Sequence, residues 1–77
     1  MNVLICDDER RDLQMVRLYV EQFGKDQQID VSIYTLWNPK SSAEIMAMAE
    51  KHEMDVAFLD IDMPHISGDA IASALTE

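Results

Sequence analysis

Two uninterrupted apolar runs constrain this 77-residue chain most, Val3-Leu4-Ile5-Cys6 and Val56-Ala57-Phe58-Leu59, and each stops at carboxylates. The first gives way to Asp7-Asp8, the second to Asp60 and Asp62. Four apolar residues without polar alternation leave no solvent face, so each run predicts a strand covered on both sides, as in a parallel sheet. The intervening sequence fits that arrangement. Leu13, Val16, Tyr19, Val20 and Phe23 recur every three or four residues, one face of a helix, with Gly24 expected as its C-terminal cap. Ile29, Val31 and Ile33 alternate with Asp30, Ser32 and Tyr34, which predicts a strand with a more exposed face near a sheet edge. Ser41 and Glu44 have capping-box spacing ahead of Ile45, Met48 and Ala49, the stripe of a second helix ending near His52. Past the second acidic end, Pro64 and Gly68 punctuate a loop, and Ile71, Ala74 and Leu75 begin a third helix.

Strands alternating with helices predict an α/β fold with a parallel sheet and right-handed crossovers. Functional groups in such sheets lie beyond the carboxyl ends of the strands. Asp7, Asp8, Asp60 and Asp62 all occupy that position. If the first and third strands are neighbours, these acids converge, and like charges packed together cost energy unless a cation neutralises them. Mg²⁺ suits such a site, being a hard ion that takes carboxylate and carbonyl oxygens and keeps several waters. A plainer alternative stays open. Asp7, Asp8 and Glu9 in the first turn of a helix stabilise its N-terminus by about 0.3–1 kcal/mol each.

Composition narrows the partners. Six basic residues against 15 acidic ones leave a net charge of −9, which repels nucleic acid and anionic lipid. A hydrophobic content of 48 % is too high for a disordered acidic tail. The single Cys6 has no intrachain disulfide partner and, inside its apolar run, is expected as a buried thiol in a reduced, cytoplasmic protein. No apolar stretch nears the roughly 18 residues of a membrane span, and no signal peptide opens the chain. Met46 and Met54 read as adaptable core packing, and Tyr34 and Trp37 as packing residues. His52 and His65 lack partners at metal-binding spacing.

Leu4-Ile5-Cys6-Asp7-Asp8-Glu9, followed by Phe58-Leu59-Asp60-Ile61-Asp62-Met63-Pro64-His65-Ile66-Ser67-Gly68, resembles the receiver domain of bacterial two-component response regulators. The acidic pair, the apolar strand ending in Asp, the following Met-Pro and the Gly beyond it occur in the family's order and spacing. The wording of both motifs is most similar to receivers that precede LytTR-type DNA-binding domains.

That resemblance implies a flavodoxin-like doubly wound sheet, present here in part as three strands in order 2-1-3 with three helices. Asp60 matches the phosphoacceptor, which attacks the phosphohistidine of a sensor histidine kinase. Asp8 matches a direct Mg²⁺ ligand, and Asp7 one that reaches the metal through water. Asp62 stands where the family uses a backbone carbonyl as ligand, while Met63, Pro64 and Gly68 shape the loop over the site. Residues 1–77 would then be the N-terminal two-thirds of a receiver, without an output domain, the Ser or Thr that ends the fourth strand, or the Lys that ends the fifth. Lys25, Lys40 and Lys51 all precede Asp60, so none matches that last position.

Two other readings compete. Phe58-Leu59-Asp60-Ile61-Asp62 also resembles the nucleophile motif of haloacid-dehalogenase-type phosphatases, with Asp62 as general acid and base. Met63-Pro64 departs from that motif, and no later Lys or acidic pair follows. The third reading is a degenerate receiver fragment acting only by protein contact.

Loss of the fourth and fifth strands would turn the third strand into an apolar edge, a template for association. The 77-residue chain is accordingly expected to self-associate by edge pairing or element swapping. Sedimentation at micromolar concentration checks this, and a monodisperse monomer contradicts it.

Overall fold

A computed structural model describes residues 1–60 of the chain. Its elements run β1 (Asn2–Asp7), α1 (Arg10–Gln27), β2 (Ser32–Trp37), α2 (Ser42–Lys51) and β3 (Val56–Leu59). The strands form one parallel sheet in the order β2-β1-β3, so among the described residues the fold is α/β with three strands and two helices. The third helix expected from Ile71, Ala74 and Leu75 lies outside the described residues.

β1 is the centre of everything. Its side chains alternate between the two faces of the sheet, as the pleat requires. Leu4 and Cys6 pack with Ile45 of α2, whereas Val3 and Ile5 pack with Leu13 and Val20 of α1. The helices therefore cover opposite faces. Right-handed crossovers demand this, because β2 and β3 flank β1 on opposite sides. Leu4, Ile5, Cys6 and Ile45 are essentially inaccessible to solvent, and full burial of an aliphatic side chain is worth roughly 1.5–3 kcal/mol. The start of β1 is also tied down: Asp55 Oδ2 accepts the Asn2 backbone N–H at 2.8 Å, and the Asn2 side-chain amide donates to the His52 carbonyl at 2.7 Å.

Several local expectations are corrected. Gly24 does not cap α1; the helix continues to Gln27, and Gln28 takes the left-handed conformation (φ 56°). The Ile29 N–H bonds to the Gly24 carbonyl and the Gln28 N–H to the Lys25 carbonyl, the paired bonds of a Schellman ending. Gly24 instead serves close approach. A Cβ built there would meet Val31 Cγ2 at 2.8 Å and the Ile29 carbonyl oxygen at 3.2 Å. β2 begins at Ser32 rather than at Ile29, leaving Ile29 and Val31 in the irregular link from α1. The capping box does not form: Ser41 is the N-cap of α2 without a side-chain bond, and Glu44 accepts from the Lys40 N–H at 2.8 Å instead of from the Ser41 N–H.

The coverage of β3 also differs from expectation. α1 lies over β1 and β2, so the flank carrying Tyr19 and Phe23 faces solvent together with Val56 and Phe58 of β3. These four residues and Met1 are five of the nine exposed large hydrophobics in the described residues, and they line one groove of about 420 Å³. No helix among the described residues is long and apolar enough to cross a membrane.

Replacing Gly24 by Ala gains about 1 kcal/mol of helix propensity but forces a β-branched neighbour and a backbone carbonyl apart, at about 1–3 kcal/mol. The steric term wins, and urea denaturation should show a less stable protein. Gln28→Gly should do the reverse, adding about 0.5–1 kcal/mol by relieving a left-handed non-glycine residue.

Candidate metal centre

Three carboxylates meet at the carboxyl end of the sheet. β1 pairs with β3 in the register Val3 to Val56 through Cys6 to Leu59, so the residues that follow each strand leave the sheet side by side. Asp7, Asp8 and Asp60 each place a carboxylate oxygen within 4.8 Å of the others. Asp7 is buried, and Asp8 and Asp60 are partly exposed. Beside them lies a cavity of about 220 Å³ that Asp7 and Asp60 line together with Ile5, Val16, Phe58 and Leu59.

Backbone hydrogen bonds fix this end of the molecule. The Asp60 N–H donates to the Cys6 carbonyl (3.2 Å), the Asn38 N–H to the Asp7 carbonyl (2.7 Å), and the Trp37 indole Nε1–H to the Asp8 carbonyl (3.1 Å). Three successive carbonyls of β1 and its exit are thus held from both neighbouring strands. Asn38 can serve because it adopts φ 50°, a left-handed turn that Asn tolerates better than most residues. Asp7 Oδ1 in turn accepts the Glu9 N–H at 3.0 Å, which restrains its carboxylate directly.

Electrostatics at the cluster are unfavourable without a counter-charge. Burial pushes the Asp7 carboxyl above the usual carboxylate range; the Glu9 N–H opposes that shift. Repulsion from Asp60 and hydrogen bonds with Asp8 and Asp60 add to the rise. Two ionised carboxylates within 4.8 Å repel by about 3 kcal/mol at an effective dielectric of about 20. First-turn stabilisation of about 0.3–1 kcal/mol is too small to offset that, and α1 has Glu9, not Asp7 or Asp8, as its N-cap. A hard cation fits the donor set, because all three side chains offer carboxylate oxygen.

Asp62, Met63, Pro64 and Gly68, singled out in the sequence, lie outside the described residues. The Cys6 carbonyl anchors Asp60, but its thiol takes no part: it is buried, and burial pushes it up to about 12, so it is unreactive. His52 stacks on Tyr34 with ring centroids 4.1 Å apart, at the C-terminal end of α2. Trp37, expected as a packing residue, also carries the Arg10 guanidinium over its ring at 4.3 Å from the centroid, a contact that no motif marks. Trp37 as the last residue of β2 and Arg10 as the first of α1 both stand at the carboxyl end of the sheet, beside the acids.

A raised Asp7 pKa means the native state holds its proton more tightly than the unfolded chain. The stability this contributes is complete below the ordinary carboxylate range and is lost as pH rises through the elevated value. In a chelator, Asp7→Asn should therefore be more stable than wild type at pH 7, with the gap closing on acidification. Mg²⁺ at 100 times its Kd should stabilise wild type by about 2.7 kcal/mol and the variant by much less, read from thermal unfolding. Equal stabilisation of both would remove Asp7 from the site.

No family model, curated protein or solved structure matches this chain, so the grouping of Asp7, Asp8 and Asp60 stands on its own geometry.

Proposed function

We propose that this chain is a phosphoacceptor receiver module of two-component signal transduction, a partial flavodoxin-like fold in which Asp60 accepts a phosphoryl group from a sensor histidine kinase. The single observation that carries this reading is the convergence of Asp7, Asp8 and Asp60 beyond the ends of two paired parallel strands. The motif resemblance in the sequence assigns the roles. Mg²⁺ would be held by Asp7, Asp8 and Asp60, with the carbonyl of Asp62 as a further ligand, and would supply charge neutralisation for an incoming phosphoryl group.

The chain's own residues do the rest. An Asp60 carboxylate oxygen attacks phosphorus in line; the N–P bond of the donor phosphohistidine breaks, the imidazole nitrogen keeps the electron pair, and Asp60 becomes an acyl phosphate. Stoichiometric transfer of this kind makes the chain an acceptor rather than an enzyme. The Glu9 N–H restrains the Asp7 carboxylate and the Trp37 indole the Asp8 backbone, which limits the reorganisation needed for the charge to be met. The motif resemblance gives Met63, Pro64 and Gly68 the role of shaping the loop over the site. The partner of this cytoplasmic module is a sensor histidine kinase, and the phosphorylated module controls an attached output domain, DNA-binding in the LytTR-type variant of this reading. The apolar groove between α1 and β3 supports self-association of the chain.

Incubation with Mg²⁺ and a small phosphodonor such as acetyl phosphate should add one phosphoryl group by intact mass, and Asp60→Asn should abolish it. A folded chain that acquires no label, or labelling that survives Asp60→Asn, contradicts the proposal.

A further inference from the structure

Trp37 closes β2 at the same end of the sheet as the carboxylates, and it is the chain's one tryptophan. Its side chain is 47 % exposed, so packing alone explains little of its placement. Its directional contacts explain more. The indole N–H is given to the Asp8 carbonyl at 3.1 Å, and the ring face carries the Arg10 guanidinium at 4.3 Å. One side chain thereby engages the chain at residue 8 and again at residue 10.

The need for such a contact follows from where β1 stops. Asp7 is the last residue in register with β2, opposite Trp37 itself, and Asp8 is the first residue past the ladder. α1 does not begin until Arg10. Asp8 therefore sits in a two-residue link between strand and helix, where a carboxylate's direction depends on whatever holds the backbone. We infer that Trp37 is a positioning residue for the cation centre: it fixes the Asp8 backbone through its indole N–H and keeps the Arg10 cation stacked on its ring. This rests on the cation reading of the three carboxylates. Stacking matters because an arginine beside carboxylates competes with a metal for them, and a cation–π contact of about 0.5–1 kcal/mol is comparable to an exposed ion pair. With Arg10 occupied by the ring, the acids keep their oxygens for a metal.

The test is Mg²⁺ affinity by titration calorimetry on the 77-residue chain, with thermal unfolding recorded for each variant. Trp37→Phe keeps an aromatic face, smaller than the indole, for Arg10 and removes the donor. It should weaken Mg²⁺ binding by about three- to tenfold, the span expected for one lost hydrogen bond, with the unfolding midpoint in chelator unchanged. Trp37→Leu, which loses the stacking as well, should weaken it further. In wild type, Trp37 emission should change with Mg²⁺ at the calorimetric midpoint, a readout that needs no variant. Wild-type affinity in both variants, or a parallel fall in affinity and unfolding midpoint, would overturn the role of Trp37 while leaving the cation site standing. Absence of Mg²⁺ binding in wild type would overturn both.

Discussion

Parallel pairing of β1 on both of its edges is the constraint from which the remaining structure follows. A central strand must be apolar on both faces, and Val3-Leu4-Ile5-Cys6 meets that requirement with side chains sent alternately to α1 and α2. Because the pairing is parallel, every strand also ends on the same side. The acids that end the apolar runs of β1 and β3 are thereby brought together by main-chain hydrogen bonding, not by attraction between themselves.

Their meeting is costly for the metal-free chain. A buried Asp7 beside Asp60 and Asp8 has its carboxyl pushed upward, and mutual repulsion of about 3 kcal/mol per ionised pair is a large fraction of a small domain's stability. The same backbone bonds that assemble the cluster keep it from spreading to relieve this strain. A cation removes the penalty, and with it present the acids become a preorganised charge pattern. The stability deficit and the proposed chemistry are two consequences of one arrangement.

Much of this was legible in the sequence. The two apolar tetrads gave β1 and β3 because uninterrupted apolarity ending in acids leaves few alternatives, and the order of strands and helices gave the parallel sheet. Asp7, Asp8 and Asp60 were legible as a group for the same reason. What escaped depends on contacts that periodicity does not encode. Gly24 resembled a helix stop, but its requirement comes from Val31 across the turn. Glu44 reaches Lys40 rather than closing a capping box, and Trp37 engages Asp8 through a polar atom that composition counts as aromatic surface.

The central claim is that Asp7, Asp8 and Asp60 form one cation site. Its most direct test is a Mg²⁺ titration followed by backbone ¹⁵N–¹H correlation spectra of the 77-residue chain. The account predicts saturable shifts concentrated at the amides of residues 7–10, 37–38 and 60, fitted by one dissociation constant. Shifts absent from those amides, or spread evenly among the chain's 15 acidic side chains without saturation, would contradict it.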